Sequence, residues 1–501
     1  MLCGSDGLQL IDWIIVFLYA GGTIGLGYYY SRRQSSTDEY FTGGGNMSPS
    51  LIGISLFATL LSTISYLSVP GEAIGKGPVW MLNFLAFPLV YVVVGYGLIP
   101  VYMKHRVTSA YELLQDRLGP RIRVLGALMF IMLRLVWMAL LIYLASSAMA
   151  VMMGVGRDWI PVITICTGIG AVIYTTLGGI RAVVITDTFQ TVLMLGGAWL
   201  VIGVVTWSVG GFSWVPTAWQ PQWDSQPVFS FDPGVRLSVI GSMLSAATWA
   251  VCTAGGDQTA VQRFMATGTV AAARKSYGTQ LVVNVLVVST LWVTGFALMG
   301  YFQTFPEFLG PGMDLDAAAD QVFPHFIAYY LPPGVSGLVV AAMFAAAMSS
   351  IDSGVNSITA VISTDFVDRC GRTPKTEQGH TRLAKAIAVV TGTIVVLCSS
   401  LVGEVPGNIT AVTNKTTNLL TTPLFALFFF ALFVPYARPV GVAAGAVCGI
   451  FVAGLIAFFG PLFGMNPATG EDPVSFMWIS PVALVANIAV GCGVSWLVRN
   501  R

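Results

Sequence analysis

Long apolar runs recur through the whole of this 501-residue chain, and they constrain its fold more than any other feature. A helix needs about 20 consecutive apolar residues to cross the hydrocarbon core of a bilayer. Only 9% of the residues are charged, whereas a soluble domain carries about 25%. A chain with so few charges cannot cover its own surface with polar groups. We therefore predict an all-α polytopic membrane protein, folded as one domain over residues 1–501 and surrounded by membrane lipids.

The apolar runs predict about thirteen transmembrane helices, if every run long enough to span a bilayer is counted. Residues 1–9 lack the basic segment and the small-residue cleavage site of a signal peptide, so we predict that the first run is a true span. The predicted spans are 10–30, 50–72, 79–103, 124–152, 159–178, 182–208, 237–262, 277–302, 334–366, 383–403, 407–434, 438–460 and 476–498.

Lysine and arginine are concentrated in alternate connections between these spans. Connection 104–123 and the segment around Arg263 are basic, whereas 209–235, 303–333 and 461–475 are almost free of basic residues. Connections rich in lysine and arginine stay on the cytoplasmic side of a membrane. We therefore predict a multi-pass protein of the plasma membrane with its N-terminus outside and its C-terminus in the cytoplasm.

Composition and motifs argue against several other classes of protein. The formal net charge is only +1, so nothing indicates a nucleic-acid partner. The seven cysteines include no CxxC pair, which argues against a zinc site or a disulfide framework. The HExxH and GxSxG signatures of zinc proteases and hydrolases do not occur. We therefore expect that the protein is not an enzyme and uses no organic cofactor.

A polar cluster interrupts the apolar span 334–366. Ser349, Asp352 and Ser353 share one face of a helix, with Ser350 beside them, because residues three and four apart are neighbours. Hydroxyls and a carboxylate are the oxygen ligands that hard cations prefer. Alternatively, the serines bond backbone carbonyls and allow close helix packing. That alternative leaves the carboxylate unexplained, so the cluster favours a cation site.

Among the other charged residues within or near the ends of apolar spans, we single out Arg134, Asp187 and Lys415. A charge at the centre of a bilayer costs about 2.5–3.5 kcal/mol on insertion scales. We therefore expect each of them to be paired, to face a wet cavity or to bind an ion. Asp187 also has a simpler interpretation as a charge near a helix start, where the helix dipole favours it.

Two predicted spans contain residues that interrupt helices. Span 50–72 is rich in hydroxyls, and span 237–262 runs into Gly255-Gly256-Asp257. Interrupted helices in corresponding halves are the best sequence indication of a transporter site. Because the two spans are five apart, we predict two inverted repeats of five helices, over 50–208 and 237–434.

Short motifs spread over nearly the whole chain resemble those of the sodium–solute symporter family, and of its bacterial members related to sodium/sialic acid, sodium/monocarboxylate and sodium/glucose symporters. The motifs are TDEYFTGG at 37–44, VTSAYE at 107–112, YTTLGGI at 174–180 followed by Thr186-Asp187, VQR at 261–263 and SSIDS at 349–353. The resemblance implies a LeuT-like fold of five plus five inverted helices, with one extra N-terminal helix and two C-terminal helices. It also implies sodium-coupled symport by alternating access in a bacterial inner membrane.

The resemblance assigns ligands to a principal sodium site. They would be the backbone oxygens of Ala58, Leu61 and Ala346 and the hydroxyls of Ser349 and Ser350. We therefore expect sodium as the coupling ion, with one or two ions per cycle.

A second sodium site, present in some members of the family, matches Asp187, Asp352 and Ser353. Asp352 stands where the sialic-acid relatives have a serine. A second carboxylate would strengthen a cation site or shift it toward protons. We expect sodium there.

The expected substrate pocket departs from that of sugar-transporting relatives. Leu60 and Ala250 stand in place of their asparagines. Thr253 replaces a gating tyrosine, and Lys415 replaces a sugar-binding glutamine. A sugar site of that kind is therefore not expected.

The match to the sialic-acid relatives is partial. Ser62 and Ser65 correspond to their substrate-contacting positions, whereas Trp137 replaces a carboxylate-binding arginine. Arg134 lies one helical turn before Trp137 and could still face the cavity. Together with Lys415 it favours an anionic substrate.

Both basic residues have alternatives, since each could pair with a neighbouring carboxylate or extend to the membrane surface. We expect Trp80, Phe84, Asp257 at the interrupted helix and Asn418 to form the rest of the pocket wall. The aromatic residues among them could equally be ordinary packing.

These observations predict a monomeric, sodium-coupled secondary active symporter that imports a small organic anion, such as a monocarboxylate or a sialic-acid-like compound. A sodium/sugar or sodium/amino-acid symporter is the first alternative. A solute sensor without transport is an alternative of another class, and the lack of an appended cytoplasmic domain after Arg501 argues against it.

Overall fold

The computed structural model describes residues 7–31, 40–41, 43–105, 107–225, 227–310, 313–316, 318–371, 374, 376–402, 409–465 and 472–499. Over these residues the chain is helical and contains no β-strand. Residues 37–39 and 42 of the first motif, and the side chains of Tyr174, Thr175 and Leu177 in the third, lie outside the described part.

Seventeen helices, numbered in chain order, cover most of the described residues. They are α1 (Leu10–Ser31), α2 (Pro49–Leu60), α3 (Thr63–Gly75), α4 (Pro78–His105), α5 (Glu112–Leu118), α6 (Pro120–Met152), α7 (Ile160–Val209), α8 (Val239–Gly256), α9 (Gln258–Met265), α10 (Val270–Thr304), α11 (Ala319–Tyr329), α12 (Val335–Asp368), α13 (Glu377–Leu401), α14 (Ile409–Phe433), α15 (Pro439–Ala457), α16 (Phe459–Phe463) and α17 (Ile479–Arg499).

Eleven helical segments of the described chain are long and apolar enough to cross a bilayer, and the bent pair α2 and α3 makes a twelfth. The separate spans expected at 159–178 and 182–208 are the two parts of α7, which bends at Gly179. Gly179 has a φ of +58°, a conformation that glycine adopts without the steric cost of a Cβ. The total of about thirteen spans stays a prediction, since the part of α7 before Gly179 is not among the twelve.

The first helix of each half is interrupted, as the sequence predicts. Helices α2 and α3 meet at an angle of 69°. Leu61 and Ser62 lie extended between them, and the Ser62 hydroxyl caps α3 by accepting from the Ser65 amide. In the second half, Asp257 has an extended backbone between α8 and α9, and its carboxylate accepts from the Thr259 amide at 2.8 Å.

Helix α10 packs against both parts of the first interrupted helix. A Cβ added at Gly53 of α2 would lie 2.4 Å from the Ser276 carbonyl oxygen of α10. A Cβ added at Gly295 of α10 would lie 2.5 Å from the Pro70 carbonyl oxygen of α3. Small residues permit such close approach between helices in membranes. The break between α2 and α3 is therefore held from one side by a single long helix.

Helix α12, which carries the serine cluster, lies at the centre of the molecule, and 83% of its apolar stretch is buried. The extra helix α1 packs against α12 and α7. The Asp12 carboxylate of α1 accepts from the amides of Gly334 and Gly337, at 2.7 and 2.8 Å, where α12 begins. The hydroxyls of α12 therefore face protein rather than lipid.

The structure corrects one expectation about the basic connections. Arg263 belongs to short helix α9 and is only 1% exposed. Its side chain is directed into the protein, because buried acceptors surround it, and it cannot count as a loop charge that sets membrane orientation.

Candidate functional site

A cavity of about 260 Å³ lies beside the two interrupted helices. Its wall comes from α2, α3, α4, α6, α8, α9, α10 and α14, with Met477 before α17. Hydrophobic and aromatic residues dominate the wall, and a few polar groups interrupt it, as is usual for a small-molecule site. The polar and charged lining residues are Thr59, Ser65, Ser68, Glu72, Asn83, Arg134, Ser242, Ser245, Thr253, Asp257, Gln280, Asn284, Thr413, Asn414, Thr417 and Thr421.

The cavity reaches toward the membrane face at which α1 begins, called here the N-terminal face. On α4, α8 and α14 the lining begins at Trp80, Ser242 and Thr413, close to where each helix leaves that face. On α3 it extends to Glu72, near the end of the helix at the same face. The cavity therefore occupies the middle of the protein and its N-terminal side.

Hydrogen bonds link distant segments at the opposite, C-terminal side of the second break. Gln258 accepts from the Ala110 amide at 2.7 Å and donates to the Thr108 carbonyl at 2.7 Å. Gln262 donates to the Phe41 carbonyl at 2.7 Å. These bonds join α9 to the motif at 107–112 and to the motif at 37–44.

Two of the five residues expected at the principal sodium site, Leu61 and Ser350, meet at the break between α2 and α3. The Ser350 hydroxyl lies 3.2 Å from the Thr59 carbonyl oxygen and 3.4 Å from that of Leu61. Ala58 and Ala346 are completely buried. The break thus presents neutral oxygen atoms from an interrupted helix, a kind of donor that can coordinate a cation.

Ser349 points elsewhere. Its hydroxyl donates to Asp187 Oδ1 at 2.5 Å. The two adjacent serines of α12 therefore have different partners: Ser350 contacts the helix break, and Ser349 contacts a carboxylate of α7.

Two of the three residues expected at a second sodium site, Asp187 and Ser353, contact the guanidinium of Arg263. Asp187 Oδ2 accepts from the Ser55 hydroxyl at 2.5 Å and lies 3.4 Å from Arg263 Nη2. Arg263 Nη2 also donates to the Ser353 hydroxyl at 2.5 Å. Asp352 is fully buried on the same helix as Ser353. Sequence reasoning missed Arg263, although the VQR motif contains it, because it follows a span and resembles an ordinary loop charge.

Six of the nine residues expected to bind substrate line the cavity, namely Ser65, Trp80, Phe84, Arg134, Trp137 and Asp257. Ser62, Lys415 and Asn418 do not belong to the wall. Ser62 is the helix cap described above, and the amide of Asn418 is buried without a hydrogen-bond partner among the described residues.

Lys415 forms a salt bridge with Asp472, from the segment before α17. This is the alternative that the sequence left open, pairing with a neighbouring carboxylate. An acidic residue in the connection 461–475 was the available signal, but the sequence alone does not show that the two residues meet.

Arg134 forms a buried salt bridge with Asp257 through Nη2 and Oδ2. The other carboxylate oxygen, Oδ1, accepts from the amide and the hydroxyl of Thr259, at 2.8 and 2.5 Å. Arg134 Nε has no hydrogen-bond partner among the described residues. Arg134 therefore lines the cavity and keeps one buried N–H donor without a partner among the described residues.

Glu72, Gln280 and Trp292 also line the cavity, and sequence reasoning did not single them out. Glu72 forms a salt bridge with Arg236 from the connection before α8. Gln280 Oε1 and Trp292 Nε1 are buried and lack partners among the described residues. Nothing in their local sequence distinguishes these positions from other polar or aromatic residues of a span.

The sequence model of the sodium:solute symporter family matches residues 40–451. The sodium/sialic acid symporter of Proteus mirabilis is 29% identical over 474 residues, covering 91% of this chain and 90% of its own. The human sodium-coupled monocarboxylate transporter 2 is 25% identical over 460 residues, covering 90% of this chain and 72% of its own.

The fold is similar to a solved structure of a Na+-coupled sialic acid symporter in a substrate-bound outward-open state. The TM-score is 0.84 at 25% identity, and 98% of each chain is covered. The similarity bears out the predicted LeuT-like architecture of a polytopic helical protein. This chain belongs to the sodium:solute symporter family and is a sodium-coupled symporter rather than an enzyme.

Proposed function

We propose that the protein imports a small organic anion bearing a carboxylate, together with sodium, by alternating access. The N-terminal face would be the outer face of a bacterial plasma membrane, in agreement with the basic residues of the opposite connections. The protein would act as a monomer in membrane lipid.

The spare Nε–H of Arg134 carries the proposal. Both oxygens of its partner Asp257 already accept hydrogen bonds, and the Nε–H of Arg134 has no acceptor among the described residues. Trp292 also lines the cavity, and its Nε1, which can only donate, is buried without a partner in the described part of the chain. A carboxylate supplies the acceptors that these groups lack, and an arginine–carboxylate hydrogen bond is stronger than one between neutral groups.

Anion recognition would therefore rest on Arg134 and not on Lys415, which is paired with Asp472 outside the cavity wall. Sialic acid and the monocarboxylates, after which two of the relatives are named, both carry a carboxylate. The shared carboxylate supports an organic anion as the substrate of this protein, but it does not indicate how large that anion is.

Sodium would bind where Ser350 faces the carbonyls of Thr59 and Leu61, together with the backbone of Ala58 and Ala346. A cation there would join α2 and α3 to α12, because it shares ligands from both. The substrate would bind next to the same break, so that its binding and that of sodium favour the same arrangement of helices.

The test is the thermal stability of the purified protein in sodium and in potassium, with monocarboxylates, sialic acids, neutral sugars and amino acids added in turn. A ligand that binds only the folded state raises its stability. We expect stabilisation in sodium, increased by a carboxylate and not by neutral sugars. Stabilisation by a neutral sugar and by no carboxylate would contradict the proposal.

Arg134→Gln should abolish the response to the carboxylate and keep the response to sodium. Lys415→Gln is the matched control. It also removes a basic side chain that the sequence placed in the pocket, but in the structure Lys415 lies outside the cavity wall. Loss of the carboxylate response in the control alone would assign recognition to Lys415 instead.

A further inference from the structure

We propose that Arg236 is a positioning residue that joins the two interrupted helices at the N-terminal face, so that sodium binding at the first break changes the position of α8. The inference rests on the proposed function only for the sodium site at the first break, and it does not depend on which solute is carried. It concerns the salt-bridged group of Glu72, Asp224 and Arg236, called here the outer clamp.

The outer clamp holds a nearly buried arginine between two carboxylates from distant segments. Arg236 Nη2 donates to Glu72 Oε1, and Nε lies 3.3 Å from Asp224 Oδ2. The side chain of Glu72 is 2% exposed and that of Arg236 is 11% exposed. Removal of one partner from a buried ion pair is strongly unfavourable, because it leaves an uncompensated charge. The three side chains therefore stay together when the segments that carry them move.

On one side the outer clamp is part of the end of α3. Glu72 lies in the last turn of that helix, which ends at Gly75. The connection before α8 is bonded to the same end, because Trp223 Nε1 donates to the Ile74 carbonyl at 3.1 Å. The next residue, Asp224, is the second carboxylate of the clamp. The end of α3 and this part of the connection therefore form one unit.

On the other side the outer clamp is fixed to the beginning of α8. Arg236 comes two residues before Ser238, the N-cap of α8, whose hydroxyl accepts from the Gly241 amide at 3.1 Å. The carbonyl of Arg236 accepts from the Ser475 hydroxyl at 2.6 Å, and Leu237 is only 2% exposed. A displacement of Arg236 is therefore passed to the first turn of α8.

The outer clamp matches a contact on the other side of the two breaks. There α9 is bonded to α2, because Arg263 Nε donates to the Ser55 hydroxyl at 3.0 Å. Toward the N-terminal face, α3 and α8 both line the cavity, and Glu72 and Arg236 join them. The two interrupted helices are thus bonded to each other on both sides of their breaks.

Helix α3 acts as a lever between the first break and the outer clamp. Because a helix rises 1.5 Å per residue, Glu72 lies about 15 Å along α3 from Ser62 at the break. A sodium ion that changes the angle between α2 and α3 displaces Glu72, and through Arg236 it displaces α8. Since Asp257 follows α8 directly, the same movement reaches the second break. The clamp therefore provides a physical connection between the cation site and the anion site.

A simpler interpretation is that the salt bridges only hold the connection 210–238 in place. In that case removal of Arg236 lowers stability but leaves the response of α8 to sodium unchanged. A physical connection between two sites is established only when the response of one site to the other is measured. The test must therefore measure that response and not stability alone.

The measurement uses a reporter cysteine on α8 and needs no substrate. Ala246→Cys places a thiol at a partly buried position of the cavity wall. The purified full-length protein is treated with a maleimide in sodium or in potassium, and modification is measured at residue 246 by peptide mass spectrometry, so that the seven native cysteines do not contribute. Coupling between two sites is typically about 5–150-fold, and we expect sodium to change the rate about fivefold or more.

The melting temperature of the same protein separates the two proposals. Stabilisation by sodium with equal maleimide rates in sodium and potassium would overturn the inference and leave the sodium site intact. No stabilisation by sodium would overturn the proposed function and this inference with it. A sodium effect that persists unchanged in Ser350→Ala would count against the sodium site and not against the outer clamp.

Arg236→Gln tests whether the outer clamp carries the response. Sodium should still raise the melting temperature of this variant, but the maleimide rates in sodium and potassium should become equal within about twofold. Arg236→Lys keeps the charge and should retain most of the sodium effect. A full sodium effect in folded Arg236→Gln, or loss of its stabilisation by sodium, would contradict the inference. If Arg236→Gln does not fold, Glu72→Gln should show the same loss, and a full effect there would contradict the inference equally.

Lys76→Gln is the matched control. Lys76 lies at the same end of α3 and forms a salt bridge with Asp316 at 3.0 Å, but this pair leads to the connection between α10 and α11. Its side chains are 24% and 48% exposed. The variant should keep the sodium effect within about twofold of the protein with an intact clamp. A loss as large as that in Arg236→Gln would show that the effect is not specific to the outer clamp.

Discussion

The two interrupted helices occupy corresponding places in the two halves of the fold, yet they present opposite chemistry. The break between α2 and α3 contains no charged residue and turns the carbonyls of Thr59 and Leu61 toward Ser350. The break between α8 and α9 contains Asp257, whose carboxylate is bound by Arg134. In the proposed function the first break binds the cation and the second positions an arginine for the anion, because only the second break holds a carboxylate that can fix an arginine in place.

The largest expected effect comes from Arg134→Gln. Removal of one partner leaves Asp257 as an unpaired buried carboxylate, which typically lowers the free energy of unfolding by about 3–5 kcal/mol. We expect carboxylate uptake in proteoliposomes to be lost. Sodium affinity should stay within about twofold of wild type, or about 0.4 kcal/mol in binding free energy, because the variant does not change the first break.

The double variant Arg134→Gln, Asp257→Asn separates stability from recognition. Its melting temperature should recover toward wild type, because no lone charge remains, while carboxylate uptake stays absent. Recovery of uptake together with stability would mean that Arg134 has only a structural role.

Ser350→Ala probes the first break. The variant removes the hydroxyl between the two carbonyls. A polar group that interacts directly with a charge contributes about 1.5–3 kcal/mol to the free energy of that interaction. We expect the sodium concentration for half-maximal uptake to rise about tenfold or more, since 1.4 kcal/mol corresponds to a factor of ten. Substrate affinity at saturating sodium should not change.

Ser349→Ala is the comparison for that variant, since its hydroxyl bonds Asp187 and not the break. We expect a smaller rise in the sodium requirement than for Ser350→Ala. Equal effects would mean that the two hydroxyls act on the same ion.

Gly295→Ala tests whether packing holds the first break rigid. The added Cβ would meet the Pro70 carbonyl oxygen at 2.5 Å, and overpacking of this kind costs about 1–3 kcal/mol. The control is Gly196→Ala, in α7, where no other atom lies within 4 Å of the new Cβ. The control should be neutral or raise the melting temperature, and a similar fall in both would point to a loss of helix flexibility instead.

The smallest effect is expected for Lys415→Gln. A pair with partly exposed side chains, 22% for Lys415 and 15% for Asp472, contributes about 0–1 kcal/mol. Substrate affinity should stay within about twofold, because the side chain does not reach the cavity wall. A change in substrate preference would show that Lys415 leaves Asp472 during transport.

Local features of the sequence determined the membrane fold. Apolar runs, the hydroxyl-rich span 50–72 and the glycines before Asp257 each lie within one segment, and their consequences appear in the same segment of the structure. The serine cluster of α12 could be predicted for the same reason, because residues three and four apart share a helix face. The oxygen donors at Ser350 followed from that face together with the family resemblance.

Tertiary structure decided which charges meet. Arg134 and Asp257 are 123 residues apart, Arg263 and Asp187 are 76 apart, and Lys415 and Asp472 are 57 apart. The pairing of each depends on how helices pack, and neither composition nor periodicity contains that information. A buried charge must find a partner, so the sequence required partners for Arg134, Asp187 and Lys415, but only the packing of α6, α7, α9 and α14 determined which residues they would be.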